Sequence, residues 1–237
     1  MHSPYGMGLQ ENCAACNLCS DGFFCHLPKP ELEAFQRIKF TLAYPSGATL
    51  FLEGQQCRGI YILCKGRVKL STSSREGQSI IVRIVKPGEV LGLSATVSAS
   101  PHVTSAETGQ PCQLNFVKAA DFLHFLRGNG EARMHAAVHL SSECGHAYQQ
   151  FRSFLTKSAP ERIARLILDW SQDDSGTVTA HGIKISLTHD EIAQIVGVSR
   201  ETVTRTLADF RKRQIAELHG STLVIQNMPT LQRIAAD

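Results

Sequence analysis

The sequence has no long hydrophobic run. Nothing in its 237 residues approaches the roughly 18 consecutive apolar residues of a membrane helix, so no membrane partner is expected. The opening residues, MHSPYGMGLQENC, have neither a basic start nor a continuous apolar stretch, so no secretory leader is read and a cytoplasmic protein is expected. Charge of one sign is scarce as well. A formal net charge of +3 does not by itself announce a nucleic-acid partner, and any such claim must rest on local patches. Phosphate loops, dinucleotide fingerprints and nucleophile-base arrangements are missing, which argues against an enzyme. What remains is ordinary globular material, 43% hydrophobic and 19% charged, long enough for one large domain or two modest ones.

Cysteine is the exception. Eight are present, and four crowd into CAACNLCSDGFFC, residues 13 to 25. In a reducing compartment such a cluster points to metal binding or redox work rather than to structural disulfides. Soft thiolates suit iron-sulfur clusters, and four of them also make a common tetrahedral zinc site. Cys57 and Cys64 fall in predicted strands and read as small buried residues, and Cys144 reads as helix packing. His135 and His139, four apart, read as a solvated helix face.

Four segments follow along the chain. Residues 1–28 form the cysteine-rich arm. In 29–128, KPELEAFQRIK first places Leu32, Phe35 and Ile38 at helical spacing. Short β-rich runs then continue to about Val117, broken by Gly47, Gly54, Gly59, Gly66, Gly77 and Gly88, as the turns of a compact antiparallel barrel or sandwich require. In 129–156, Ala137, Leu140, Cys144, Ala147, Phe151 and Phe154 recur at alternating steps of three and four. A repeat of 3.5 residues favours two such helices packed on each other, so a homodimer is expected, with Ala137, Leu140, Cys144, Ala147 and Phe151 at its interface. KSAPER then breaks the pattern at Pro160 and opens a second, smaller domain, 157–237.

The most specific stretch is LTHDEIAQIVGVSRETVTRTLADFRKRQIAELHGSTLVIQ. Thr188 and Glu191 form a capping box for one helix, Gly197 supplies a turn, and Ser199 caps a second helix. Val203, Leu207 and Phe210 share the core face of that second helix. Arg200, Glu201, Thr204 and Arg205 lie opposite, with Ser199 at the start and Arg211, Lys212 and Arg213 after them. This is a helix-turn-helix whose second helix reads the major groove: arginine donates to guanine, glutamate accepts from cytosine, and the trailing basic residues meet phosphates. AELHGSTLVIQN alternates like a hairpin turning at Gly220, the wing of a winged helix.

In this order, with SRETVTRTL in the reading position, the chain resembles the CRP/FNR family of bacterial transcription regulators. The resemblance implies an α+β chain: an antiparallel β-roll sensor domain (a cupin-like jelly roll), a long dimerisation helix and a carboxyl-terminal winged helix-turn-helix. It implies palindromic double-stranded DNA with TGA in each half-site, read through Glu201 and Arg205. Arg200 matches the members that bind cyclic AMP, whereas the FNR branch usually has valine there and serine in place of Thr204. It also implies contact with RNA polymerase, for which the loop STSSREGQS at 71–79 is a candidate. In PGEVLGLSATVSASPHVTSAETG, Leu93 stands where the nucleotide-binding glutamate belongs, and no arginine occurs from Val90 to Gln110. A buried phosphate without a cation is costly, so no cyclic nucleotide is expected. The spacing of Cys16, Cys19 and Cys25 instead resembles FNR-type oxygen sensors. There three arm cysteines and a fourth from the β-roll, here Cys112, hold a 4Fe-4S cluster whose loss to oxygen loosens the dimer. Alternatives are a ligand set that includes Cys13, a structural zinc, nitric oxide or redox sensing through haem or thiols, and an iron-sulfur electron carrier.

Overall fold

Proline sets the start of the first unit's regular structure. The structure, a computed structural model, describes residues 4–16, 18, 22, 24–73, 79–171, 177–179, 182–184, 187–219 and 222–236. It divides into two compact units, Met1–Gly145 and His146–Asp237. In the first, α1 (Lys29–Ile38) follows Pro28 and carries Pro30 in its opening turn, where a missing N–H breaks no helical bond. Then come β1 (Lys39–Tyr44), β2 (Thr49–Phe51), β3 (Gly59–Lys65), β4 (Val68–Ser73), β5 (Ser79–Val85), β6 (Val90–Leu91), the short α2 (Leu93–Ser98), β7 (Ser105–Thr108) and β8 (Cys112–Lys118). The strands form two antiparallel sheets, ordered β1-β8-β3-β6 and β2-β7-β4-β5.

Successive side chains of a strand point to opposite faces, and both faces of β3 and β8 are used. Leu63, Cys112 and Leu114 face inward and join Phe51, Val68, Val85, Leu91 and Ala106 in the core that both sheets share. Ile60, Ile62 and Val117 face outward, where they meet Phe24 of the arm, Phe35 of α1, and Phe122 and Phe125 of α3 (Ala119–Gly128). This outer cluster also takes Ala132 and Ala136 from the long helix α4 (Gly130–Thr156), with Leu140 packed against it.

Two polar devices tie α4 to the β-roll. The Glu31 carboxylate of α1 accepts from the amides of Glu131 (3.3 Å) and Ala132 (3.0 Å), capping the positive end of α4. Further along, Arg83 of β5 donates to Glu143 (3.1 Å), and His139 lies 3.5 Å from the same carboxylate oxygen. His139 is therefore a half-buried partner rather than part of a solvated face.

In the second unit, α5 (Ala159–Ser171) precedes β9 (Thr177–Thr179) and β10 (Gly182–Lys184). Then follow α6 (His189–Val196), α7 (Arg200–Lys212), β11 (Ala216–His219), β12 (Thr222–Ile225) and α8 (Met228–Ala236). The four strands pair in the order β11-β12-β10-β9. Ile163, Ile167, Leu207, Phe210, Ile215 and Leu231 anchor the core. β11 and β12 pair antiparallel as expected of a wing; Gly220, read as its turning point, lies outside the described residues. The boundary between units falls within α4, which the sequence reading had set apart as its own segment.

Burial raises the Glu143 pKa, but His139 and Arg83 outweigh it and hold the carboxyl below its ordinary value. A folded pKa below the unfolded one gives stability that is present at neutral pH and lost as pH falls through the carboxylate range. Glu143→Gln is expected to lower the thermal midpoint at pH 7, with the gap from wild type shrinking below about pH 4.3. A gap independent of pH in melts followed by circular dichroism would contradict this account.

Candidate nucleic-acid interface and thiol cavity

The local sequence accounts for the pose of α6 and α7. Thr188 accepts from the Glu191 amide (3.2 Å) while the Glu191 carboxylate accepts from the Thr188 amide (2.9 Å), closing the capping box. Gly197 ends α6 at φ 65°, a left-handed conformation that glycine adopts without strain. Ser199 then caps α7 by accepting from Thr202 N (3.2 Å). Val203, Leu207 and Phe210 are buried as the spacing requires, and Thr206 is buried beside them. Ser199, Arg200, Glu201, Thr204, Arg205, Arg211, Lys212 and Arg213 are all exposed.

The polar groups of that surface are partly pre-arranged. Thr204 Oγ1 donates to Arg200 O (3.0 Å) and lies 3.0 Å from His189 Nδ1, a link between the two helices that the sequence did not reveal. Arg211 pairs with Glu217 of the wing (2.9 Å) and Arg213 with Asp209 (3.3 Å). Phosphate contact by these two requires them to leave their partners, a small cost for the exposed Arg213–Asp209 pair and a larger one for Arg211, whose partner Glu217 is half-buried.

The second constellation lies on the outer face of the β-roll. Cys13, Cys16 and Cys25 line one cavity together with Cys64 of β3; Gln10, Phe24, Leu32, Phe35, Ile62 and Asn115 contribute to its walls. Its enclosed space of about 30 Å³ holds little more than a water molecule, so a cubane cluster requires the cavity to widen. Two glutamine side chains hold the arm there as a paired strand would. Gln10 N donates to Gln113 Oε1 (2.9 Å) while Gln113 Nε2 donates to Gln10 O (2.7 Å). Cys13 N donates to Gln36 Oε1 (3.0 Å) while Gln36 Nε2 donates to Glu11 O (2.9 Å). Phe24 stacks on Phe35 at 4.5 Å between ring centres.

Within this site Asn115 Nδ2 donates to Cys64 Sγ (3.2 Å) and lies 3.7 Å from Cys13 Sγ. Burial pushes the Cys64 thiol up to about 12, and the neighbouring Cys13 and Cys16 add to it. Burial also raises Cys13, opposed by the Lys39 ammonium. Among the described residues, no three cysteine, histidine, aspartate or glutamate side chains are grouped as ligands of one metal ion.

Of the four ligands expected from the sequence, Cys16 and Cys25 line the cavity and Cys19 lies outside the described residues. Cys112 does not join them. Its side chain points into the inner core, fully buried, with Sγ 3.1 Å from Gln110 O and 3.3 Å from Arg67 O. Gly66 is packed so closely that a Cβ there would lie 2.5 Å from that sulfur. Cys64, read as simple packing, stands on the outer face instead, in step with Ile60 and Ile62.

Comparison with known proteins accounts for the reading-helix surface and the β-roll. Residues 161–234 match the Crp-like helix-turn-helix domain, and residues 41–129 match the cyclic nucleotide-binding domain. The chain belongs to the CRP/FNR family of transcription regulators. The cAMP-activated global transcriptional regulator CRP of Pasteurella multocida is 27% identical over 198 residues, covering 83% of this chain and 94% of that protein. The CRP-like cAMP-activated global transcriptional regulator of Mycobacterium tuberculosis is 26% identical over 220 residues, 92% of this chain and 98% of that one. Among solved structures, FixK2 from Bradyrhizobium japonicum shares the fold with a TM-score of 0.75 at 20% identity, covering 84% of this chain and 98% of that one. The c-di-GMP responsive global regulator CLP of Xanthomonas campestris does so at 0.76 and 19%, covering 84% and 99%. These CRP/FNR relatives are regulators rather than enzymes, and no helix among the described residues is long and apolar enough to cross a membrane.

Membership corrects one expectation. Cyclic nucleotides were set aside for want of an arginine between Val90 and Gln110, but residues 41–129 match the domain that binds them, and the curated relatives are described as cAMP-activated. That expectation weighed one loop, whereas the match spans residues 41–129. Elsewhere in that span the Arg67 guanidinium and the Lys69 stem lie close to Gly109.

The seam on α4 shifts within this CRP/FNR architecture. Ala137, Cys144, Ala147 and Phe151 are exposed as an interface requires, but Leu140 packs on the outer core of its own unit. Met134, Val138, Tyr148, Phe154 and Leu155 are the large apolar side chains exposed beside them.

Gly197 offers a test of the reading-helix geometry. An added Cβ would lie 2.8 Å from the Phe154 ring in a conformation that L-residues resist. Gly197→Ala is expected to destabilise the second unit by about 1–3 kcal/mol. Urea unfolding that leaves the midpoint unchanged would refute the packing described.

Proposed function

We propose that this CRP/FNR-family regulator binds palindromic DNA as a homodimer under the control of an oxygen-sensitive 4Fe-4S cluster held by its arm cysteines. The observation that carries the reading is the cavity itself, where Cys13, Cys16, Cys25 and Cys64 face one space with amide N–H groups of Asn115 directed at sulfur. Soft thiolates with N–H···S support are the donor set of an iron-sulfur centre. When bound, such a cluster supplies an oxygen-labile cross-link between arm and β-roll. The chain's own residues relay its presence: Phe24 stacks on Phe35 of α1, and Glu31 of the same helix caps α4. The exposed apolar side chains of α4 then meet a second copy, placing two reading helices about one DNA turn apart. RNA polymerase is the partner of the DNA-bound form.

A second reading is a nucleotide effector in the β-roll, favoured by the match of residues 41–129 and by the cations beside Gly109. One experiment separates the two. Protein purified without oxygen is assayed for iron, sulfide and zinc, then titrated onto a duplex with inverted TGA half-sites, before and after air and with or without cyclic AMP. About four irons per chain, and binding at least tenfold weaker after air, are expected. A colourless protein that responds only to cyclic AMP would overturn the cluster reading. In the same assay Glu201→Ala and Arg205→Ala should each cost about 1–3 kcal/mol against the cognate duplex and little against scrambled DNA.

A further inference from the structure

We infer that His189 of α6 is a positioning residue for base recognition: it ties the Thr204 hydroxyl within the protein, so that Thr204 offers a base pair only its methyl group and selects thymine. The inference concerns the reading helix and is independent of how the regulator is controlled. Its first support is hydrogen accounting. A threonine hydroxyl has one hydrogen and two lone pairs. Thr204 Oγ1 lies 3.0 Å from Arg200 O, one helical turn back, and two oxygens at that separation need a hydrogen between them, so the hydroxyl hydrogen goes to Arg200. Oγ1 also lies 3.0 Å from His189 Nδ1. With its own hydrogen spent, the hydroxyl can only accept there, which puts an imidazole proton on Nδ1 whether or not Nε2 carries another.

The second support is placement. Thr204 is exposed on α7 between Glu201 and Arg205, while His189 is half-buried in the first turn of α6. The capping box at Thr188 fixes the backbone that carries His189, and the Ser199 cap fixes the start of α7, so the link joins two elements already held in place. Asp190 and Arg200 approach to 3.8 Å along the same junction. A hydroxyl tied on both sides has no hydrogen to give guanine O6 or N7, thymine O4 or adenine N7. What Thr204 keeps for the groove is Cγ2, whose match among the base edges is the thymine 5-methyl group. Serine, which the FNR branch usually carries in place of Thr204, has a hydroxyl alone, so the base contact expected here differs in kind.

The test uses the full chain, purified without oxygen and assayed with cyclic AMP present so that either proposed mode of control permits binding. It is titrated by fluorescence anisotropy onto the duplex with inverted TGA half-sites. Each thymine of both strands, flanks included, is replaced in turn by deoxyuridine, which lacks only the 5-methyl group. Wild type is expected to bind about fourfold more weakly at one replaced position per half-site, the value of one buried methyl group. His189→Ala and Thr204→Ser are each expected to lose that sensitivity while binding scrambled DNA as wild type does, with circular dichroism confirming their folding. Thr204→Val, which keeps a methyl and needs no tether, is expected to retain it, and adding His189→Ala to Thr204→Val is expected to change nothing further. Equal sensitivity to deoxyuridine in wild type and His189→Ala would overturn the inference, as would a wild type indifferent to every replacement. His189→Ala weakening cognate and scrambled duplexes alike would make the imidazole a phosphate contact and also overturn it. If wild type shows no preference for the TGA duplex over scrambled DNA, the base-reading assignment of α7 falls as well.

Discussion

A strand gives each side chain to one face of its sheet only, and on that constraint the amino-terminal unit of this protein turns. β3 and β8 lie side by side and carry one cysteine each, yet the pleat sends Cys64 out toward the arm and Cys112 into the core. A single-residue slip would exchange the two roles and would also turn Leu63 and Leu114 out of the shared core. The inner core therefore fixes which thiol the arm can meet.

Arm docking draws on contacts of modest strength. Burial of Phe24 contributes about 1.5–3 kcal/mol and each glutamine hydrogen bond about 1, while ordering each arm residue costs about 1–2 kcal/mol. The docked arm also has a route to α4, because Phe24 shares an apolar cluster with Ala132 and Ala136, and α1 both receives Phe24 and lends Glu31 to the cap.

The second unit was the more legible part of the sequence, for a physical reason. Capping boxes, left-handed glycines and helical core spacing act over three or four residues, so Thr188, Gly197, Ser199 and Phe210 could be placed from neighbours alone. The thiol cavity depends on contacts between residues such as Gln10 and Gln113, about a hundred positions apart. GIYILCK is apolar on both faces, so periodicity could not say which way Cys64 points. The two-faced use of β3, evident only once α1, α3 and the arm cover its outer side, is what reading along the chain missed.

The same ambiguity explains the seam on α4. Its apolar residues make two overlapping rows, one stepping by three and four through Leu140 and Phe154, the other through Met134, Tyr148 and Leu155 with the polar Ser141 at one step, and the two share Ala137, Cys144 and Phe151. The spacing alone cannot rank them. Packing does: Leu140 belongs to the outer core, and Phe154 lies against the Arg162 guanidinium and Gly197 in the second unit. A helix apolar on so much of its circumference has work on more than one side. Leu140 is taken up in its own unit and Phe154 partly so, which leaves Met134, Tyr148 and Leu155 as the more exposed apolar side chains, the ones the proposed homodimer would cover.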